Sequence, residues 1–438
     1  MIYTGPSISI IVTSVLICSV TLLSAQSYTS WLSGSADDVG TSHQFGIVLA
    51  GGGGDNDEAM QWMLERAQGG DVVVLRASGS DGYNDYFFSE LGVPVNSVET
   101  IRFDDASAAQ DSTVVQKIRN AEVLFLAGGD QYDYELYWKD SPVETAINYL
   151  LNEKQATVGG TSAGMAVLGQ YYYTPTSFGV TSEEALANPF HPYLESGLST
   201  DTNFIQAPFL QRTLTDTHWA DRDREGRTVT FLARLAAESG ERAYAITANE
   251  YTAVAIDASG TARVFGETPQ YPDYAHFMAV NCQDEILPEL LQPDQPLAWV
   301  RGQAAVKVYR VPGTPTAEHS FDLTAWNDGT GGEWLNWYVD NGELLEAATA
   351  TSDCAEVLTT VTEVGDVSVR IGPNPTRDRI GIDAGRTTLT WEIFGNHGQR
   401  VARGSGSARV DLRSFGTGVY TITLHTLRGA GNVRVVVL

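Results

Sequence analysis

Lysine is scarce in this chain. Only four of its 438 residues are lysine (Lys117, Lys139, Lys154 and Lys307), against 54 acidic residues, and the formal net charge is −27. A surface so poor in cations cannot neutralise a phosphate backbone, which excludes nucleic acid as a partner.

Cysteine is almost as rare, and the three cysteines form neither a C-x-x-C pair nor a cluster with histidine. No metal site is therefore expected. If the N-terminal segment that contains Cys18 is cleaved on export, as argued below, only Cys282 and Cys354 remain. In an oxidising compartment these two are a candidate disulfide. Two independent buried thiols are the alternative.

Charge is absent from residues 1–25, in which Ile8–Leu23 is apolar and small residues follow. This pattern is typical of a secretory signal peptide cleaved after Ala25. A retained membrane anchor is disfavoured because the stretch is short and interrupted by Ser and Thr.

Charge also divides the chain. The part from Asp366 onward carries a net charge of +5 and the part before it −32. Such a break marks a domain boundary. We expect a signal peptide (1–25), a catalytic domain (26–285), a β-rich extension packed on that domain (286–365) and a C-terminal β-sandwich (366–438).

Between residues 45 and 265, buried-strand patterns alternate with amphipathic helix patterns. The strand patterns are Phe45–Ala50, Val72–Leu75, Val98–Phe103, Val123–Leu126 and Ala156–Val158, and the helix patterns are Asp57–Ala67, Asp111–Asn120 and Pro142–Leu151. This alternation predicts an α/β fold, a parallel sheet covered by helices on both faces, with its active site at the carboxyl ends of the strands.

The pentapeptide Gly160-Thr161-Ser162-Ala163-Gly164 lies between a strand pattern and a helix pattern. This order predicts a nucleophile elbow, a sharp turn that exposes a strained serine beside the N–H groups of the next helix. A plain strand-to-helix packing joint is the alternative.

Two other glycine-rich loops follow predicted strands. Gly51–Gly54 lacks the endings of a P-loop and of a dinucleotide-binding loop, so a nucleotide site is not expected. The loop Gly128-Gly129-Asp130-Gln131 could place an N–H donor beside a ligand, or could be an ordinary tight turn.

A serine nucleophile needs a base and an acid that orients the base. His218 is the best candidate base because it is followed by Arg222, Arg224 and Arg227, which could bind a substrate carboxylate. An exposed, ion-paired helix start is the alternative. Glu250 lies between two strand patterns and is the candidate acid.

His191 is a second candidate base, and we expect it to be structural.

The ordered motifs carry a resemblance to a known family. They are Gly128-Gly129-Asp130-Gln131, Gly160-Thr161-Ser162-Ala163-Gly164, Asp216-x-His218-Trp219 with Arg222, Arg224, Gly226 and Arg227, and Asn249-Glu250-x-Thr252-Ala253. Over residues 44–285 the chain resembles the cyanophycinases, serine exopeptidases grouped with aspartyl dipeptidase. It departs from them at Thr217 and Asn249, where they usually have Gln and Asp.

The resemblance implies a three-layer, class I glutamine-amidotransferase-like (flavodoxin-like) α/β fold. It also implies a triad of Ser162, His218 and Glu250, and an oxyanion hole from the N–H groups of Gly129 and Ala163. The family's substrates are β-linked aspartyl peptides, and no cofactor is implied. Asp130, Gln131, Asp216, Arg222, Arg224 and Arg227 are the residues expected to bind substrate.

Two other functions fit parts of the pattern. A lipase-like esterase would have its acid before its histidine, whereas the order here is serine, histidine, glutamate. A non-catalytic binding member of the family would not need to keep all three triad residues.

The tail from Val367 alternates apolar and polar residues, which predicts a small antiparallel β-sandwich. Its Pro373-Asn374-Pro375 opening and Gly418-Val419-Tyr420 hairpin resemble the type IX secretion sorting domain of Bacteroidota. A carbohydrate-binding sandwich is the alternative. The expected partners are a peptide substrate, the type IX secretion machinery and, if the chain self-associates, a second copy in a homodimer. The expected location is the medium or the cell surface.

Overall fold

The computed structural model describes residues 1, 27–201, 203–281, 286–348, 360–364, 367–372, 379–383, 389–395, 398–406, 408–412, 414–416, 418–426 and 429–437. The predicted signal peptide, Cys282 and Cys354 lie outside the described residues, and so does the Pro373-Asn374-Pro375 motif.

Before residue 350 the described chain forms eighteen strands and nine α-helices. The strands are β1 (Tyr28–Gly34), β2 (Gly46–Ala50), β3 (Asp71–Arg76), β4 (Ser97–Phe103), β5 (Val123–Leu126), β6 (Thr157–Thr161), β7 (Tyr172–Tyr173), β8 (Leu198–Ser199), β9 (Thr213–Asp216), β10 (Tyr244–Ala248), β11 (Ala253–Asp257), β12 (Thr261–Phe265), β13 (Tyr274–Val280), β14 (Val306–Pro312), β15 (Ser320–Asp322), β16 (Gly329–Thr330), β17 (Glu333–Asp340) and β18 (Glu343–Ala348). The helices are α1 (Asp57–Glu65), α2 (Gly82–Asp85), α3 (Ser112–Asn120), α4 (Gln131–Trp138), α5 (Pro142–Tyr149), α6 (Ala163–Ala166), α7 (Ser182–Ala187), α8 (Pro192–Glu195) and α9 (Glu225–Ser239).

Ten strands form the main sheet, in the order β1-β4-β3-β5-β6-β2-β11-β12-β15-β16. The central five strands, β4 to β2, are parallel to one another, and the strands β1 and β11 that flank them are antiparallel to them. The predicted parallel sheet is therefore the centre of a larger mixed sheet.

Both faces of this sheet are covered. In β2, Ile47 and Leu49 point into a core that includes residues of α3 and α5, while Val48 and Ala50 point into a core that includes residues of α1. Strands buried on both faces are continuously apolar, which is why their sequence patterns predicted them. The three-layer α/β class is confirmed.

The second sheet differs from the sequence prediction. It has six strands in the order β18-β17-β14-β13-β10-β9, of which only β9 and β10 are parallel to each other. Strand β9 was not among the predicted strands, and no second sheet was predicted within the catalytic part of the chain.

The β-rich segment after residue 286 adds strands to both sheets. Strands β14, β17 and β18 extend the second sheet, while β15 and β16 extend the main sheet at its β12 edge. Among the described residues, no helix is long and apolar enough to cross a membrane.

The tail folds into two four-stranded antiparallel sheets, as the period-two pattern predicted. Its strands are β19 (Thr360–Val364), β20 (Val367–Gly372), β21 (Arg379–Asp383), β22 (Thr390–Phe394), β23 (Arg400–Ser405), β24 (Ala408–Asp411), β25 (Gly418–Thr426) and β26 (Gly429–Val437). The sheet orders are β19-β20-β21-β24 and β23-β22-β25-β26, and one apolar cluster joins side chains of both sheets.

Candidate active site

Ser162 stands at the turn between β6 and α6, and its backbone is strained. Its φ and ψ are 52° and −115°, a conformation that side-chain-bearing residues rarely adopt. Its N–H donates to the carbonyl of Ala50 at the end of β2 (3.0 Å), which holds the turn in place. The predicted strain is present, and it lies on the serine itself.

The flanking glycines are required by crowding. A Cβ on Gly164 would lie 1.9 Å from the carbonyl oxygen of Leu126, and a Cβ on Gly160 would lie 2.5 Å from the carbonyl carbon of Gly164. Neither glycine has a positive φ. They let α6 start directly against β5 and β6.

His218 and Glu250 are brought together by the second sheet. β9 and β10 are parallel neighbours, with Asp216 paired to Thr247, and each candidate residue follows its strand by two positions. His218 Nε2 lies 2.7 Å from Ser162 Oγ, and His218 Nδ1 lies 2.6 Å from Glu250 Oε1. The site therefore joins the carboxyl ends of strands from both sheets.

The environment keeps His218 neutral. Its side chain is buried (6% exposed), and burial lowers its pKa below the ordinary 6.5. The hydrogen bond that His218 donates to Glu250 opposes this lowering of the pKa, while the charges of Arg222 and Arg224 add to it. A neutral imidazole can accept the proton of Ser162.

The loop Gly51–Gly54 supports this site, a role that the sequence analysis missed. The three successive carbonyls of Ala50, Gly51 and Gly52 accept the N–H groups of Ser162 (3.0 Å), His218 (2.8 Å) and Tyr251 (2.9 Å). The end of β2 thus holds all three segments of the site. This role could not be predicted from the loop's own sequence, because the residues that it contacts are distant in the chain.

Two glycines of this loop touch the candidate triad directly. A Cβ on Gly52 would lie 2.4 Å from His218 Cε1, and a Cβ on Gly53 would lie 2.6 Å from Glu250 Oε2. Both have a positive φ, 95° and 77°. Glycine alone meets both requirements at these positions.

Of the two predicted oxyanion donors, Ala163 directly follows Ser162, and Gly129 follows a residue that lies beside it. Ala163 is the first residue of α6, and Gly128 lies so near that its Cβ would be 3.5 Å from Ser162 Cβ. The N–H groups of Gly129 and Ala163 have no hydrogen-bond partner among the described residues. They are free to bind a developing oxyanion.

Asp130 and Gln131 lie next to this loop but already have local partners. Asp130 caps α4 by accepting the N–H of Tyr132 (2.9 Å), and Gln131 Nε2 donates to the carbonyl of Tyr173 (3.3 Å). The Asp130 side chain remains exposed to solvent.

The predicted substrate-binding pair Asp216 and Arg227 does not face the cleft. Arg227 donates two hydrogen bonds to the Asp216 carboxylate, Nε to Oδ2 (3.0 Å) and Nη2 to Oδ1 (2.6 Å), and both side chains are buried. Burial raises the pKa of Asp216, but the charges of Arg227 and Arg224 lower it more. The two side chains thus pair with each other beneath the segment that carries His218, and a role for them in substrate binding stays a prediction.

The other two arginines differ in exposure. Arg224 is largely buried and donates to the Thr217 carbonyl (2.9 Å), and burial lowers its pKa to about 10. Arg222 has a side chain 53% exposed, with Nη2 3.8 Å from Glu250 Oε1. Arg222 is the arginine of the cluster that remains available to a ligand.

Asn249, which precedes Glu250, contacts the loop that carries His218. It accepts the N–H of Ala220 (3.4 Å) and donates through Nδ2 to the carbonyl of Pro272 (2.8 Å). A carboxylate could not make the second bond, which explains an amide at this position. His191, the second candidate base, caps α8 through Nδ1 and lies outside the site.

No group of three or more His, Cys, Asp or Glu side chains in the described part of the chain is arranged to hold a metal ion.

Comparisons with known proteins agree with this architecture. The chain is 24% identical over 261 residues to the cyanophycinase of Synechococcus elongatus, covering 54% of this chain and 74% of that protein. It is 26% identical over 180 residues to the cyanophycinase of Nostoc sp. strain PCC 7120, covering 41% and 53%. The chain is thus similar to cyanophycinases over its catalytic part, which supports a peptidase.

The remaining comparisons are with a solved structure and with a family of C-terminal domains. A peptidase from an acI-B1 Actinobacterium is 13% identical, with a TM-score of 0.36 over 53% of this chain and 94% of that one. Residues 370–437 match the family described as "Secretion system C-terminal sorting domain". The tail is thus a sorting domain, and the peptidase is exported through type IX secretion to the cell surface or the medium.

Proposed function

We propose that this peptidase is a serine-type exopeptidase that cleaves aspartyl peptides through an acyl-enzyme, with Ser162 as nucleophile, His218 as base and Glu250 as the orienting acid. The observation that carries the proposal is the pair of hydrogen bonds from Ser162 Oγ to His218 Nε2 (2.7 Å) and from His218 Nδ1 to Glu250 Oε1 (2.6 Å).

In this mechanism the neutral His218 takes the proton of Ser162 while Oγ attacks the carbonyl carbon of the scissile amide. The N–H groups of Gly129 and Ala163 receive the oxyanion. When the tetrahedral intermediate collapses, the C–N bond breaks and His218 gives its proton to the leaving amine. Water, deprotonated by His218, then hydrolyses the acyl-enzyme. No cofactor enters this sequence.

The proposed substrates are β-linked aspartyl peptides that resemble cyanophycin. Two observations support this class. The curated relatives are cyanophycinases, and the exposed Arg222 offers a guanidinium beside Glu250 where a substrate carboxylate could pair with it. In a chain with a net charge of −27, such a local cation is needed to hold an anionic group.

A parallel assay of the purified protein on cyanophycin, β-aspartyl dipeptides and α-aspartyl dipeptides tests the substrate class. We expect hydrolysis of the β-linked substrates at the highest kcat/KM, and none by the Ser162→Ala variant. Preference for α-linked dipeptides would overturn the β-aspartyl assignment and leave the triad standing. If the protein cleaves simple esters and none of the peptides, the peptidase assignment is wrong and the protein is an esterase.

A further inference from the structure

A cavity with a volume of about 360 Å³ lies beside the two loops that carry His218 and Glu250. Its lining comes from three places: the segment after His218 (Trp219, Glu225), strand β13 (His276), and the β-rich segment (Arg310, Trp337, Glu346). Asn249, which directly precedes Glu250, also lines it. The β-rich segment is thus placed to build a binding site that shares its wall with the active site.

Aromatic rings form one side of this cavity. Trp219 and Trp337 stack with centroids 5.6 Å apart and planes inclined by 4°, and the His276 ring lies 4.2 Å from Trp219. Trp337 is fixed further by donating from Nε1 to Glu346 Oε2 (2.9 Å). Flat, rigid ring faces of this kind suit an apolar or cationic group.

Two buried polar atoms in the lining have no partner within the described protein, His276 Nδ1 and Glu225 Oε2. His276 is 5% exposed, and burial with the nearby charge of Arg310 lowers its pKa to about 3, so it is neutral. Buried polar atoms are costly when unpaired, and a carboxylate oxygen requires a donor. The occupant should therefore carry N–H or O–H groups.

The charged groups in the lining are two carboxylates, Glu225 and Glu346, and one guanidinium, Arg310. The guanidinium of Arg310 is already paired with Glu333 (2.6 Å) and Glu346 (3.6 Å). Burial raises the pKa of Glu225, its backbone hydrogen bond lowers it, and the negative charges of Asp223, Asp216 and Asp221 raise it further. These acidic neighbours create a negative potential at Glu225 that a bound cation would relieve.

We propose that this cavity binds an organic cation with N–H donors, a guanidinium or alkylammonium group, between Glu225, His276 and the ring of Trp337. The cation could belong to a side chain of the bound peptide or to a free amine. Because Trp219 and Asn249 directly adjoin His218 and Glu250, an occupant would contact the backs of both catalytic loops.

Binding of butylguanidine and of its neutral isostere butylurea to the full-length Ser162→Ala protein tests this, by calorimetry and tryptophan fluorescence. We expect saturable binding of butylguanidine and at least tenfold weaker binding of butylurea. Equal affinity for the two would overturn the proposal, because the site would then select shape and not charge. This comparison needs no variant of the cavity.

The matched variants are Glu225→Gln and Glu343→Gln. Both remove one negative charge, but Glu343 is exposed on β18 and does not line the cavity. Only Glu225→Gln should weaken butylguanidine binding, by about tenfold, since a hydrogen bond to a charged group is lost. Equal losses in both variants would show general electrostatic attraction and contradict the site.

Inhibition assays with the wild-type protein show whether the bound cation is a side chain of the substrate or a separate amine. Competitive inhibition of peptide hydrolysis by butylguanidine assigns the cavity to a substrate side chain, and binding without competition assigns it to a separate amine. The binding measurements use a protein without the proposed nucleophile. Their failure would leave the proposed peptidase mechanism intact, and loss of the triad assignment would leave the cavity proposal intact.

Discussion

Gly52 lies against the imidazole of His218 so closely that a Cβ would come within 2.4 Å of Cε1. The same residue accepts the N–H of Tyr251, next to Glu250, through its carbonyl. The position of the candidate base is therefore set by a loop that follows β2, far from His218 in sequence.

Gly52→Ala should displace His218 and reduce kcat/KM about a hundredfold, because a small misplacement of a catalytic group costs rates of that order. Gly69→Ala is the matched control. Gly69 has a similar φ, 80° against 95°, but no heavy atom lies within 4 Å of its Cβ position. Steady-state kinetics and melting temperatures of both variants check this. Equal losses of activity would mean that backbone strain, not contact with His218, limits the site.

Asp216→Ala should destabilise the fold by about 3–5 kcal/mol, because it leaves the buried guanidinium of Arg227 without its carboxylate partner. Denaturant unfolding measures the loss. If Asp216 instead bound substrate, the variant would melt like the wild type and show only an increased KM.

Arg222→Ala should leave stability unchanged, since an exposed ion pair contributes about 0–1 kcal/mol. It should raise KM about tenfold for a dipeptide with a free carboxylate and leave KM for the corresponding amide unchanged, because uniform binding is lost. Arg224→Ala and Arg227→Ala, assayed in the same way, are the comparisons. If all three variants have the wild-type KM for both the free-carboxylate dipeptide and its amide, other residues recognise the carboxylate.

The pH profile should follow His218. Since its pKa is lowered below 6.5, the base form persists into mildly acidic solution and kcat/KM should fall only as the pH drops below that value. Arg222 lowers the pKa of His218, so Arg222→Ala should move the acidic fall in kcat/KM to higher pH. Glu250 raises the pKa of His218, so Glu250→Gln should move this fall to lower pH. A wild-type limb above pH 6.5 would contradict the assigned environment.

The sequence was sufficient for the central strands and for the elbow. Continuous apolar runs such as Val123–Leu126 are typical of strands in a sheet covered on both faces, and glycines on both sides of a serine are typical of a nucleophile elbow. The second sheet was missed because β9, Thr213–Asp216, is short and polar, so its periodicity carries no signal.

The different environments of the three arginines could not be predicted from the sequence. A run of alternating charges usually lies on the surface, and nothing local distinguishes the buried Arg227 from the exposed Arg222. The difference comes from Asp216, which β9 places beneath α9. Likewise, the contact of Gly52 with His218 depends on two sheets meeting, and no short motif encodes it.

The most direct test of the account is the kcat/KM of Ser162→Ala on a β-aspartyl dipeptide, measured beside a wild-type protein with the same melting temperature. Removal of the attacking hydroxyl should reduce kcat/KM by about 10⁴ or more, with the fold intact. Peptidase activity within tenfold of the wild type in this variant would contradict the assignment of Ser162 as the nucleophile.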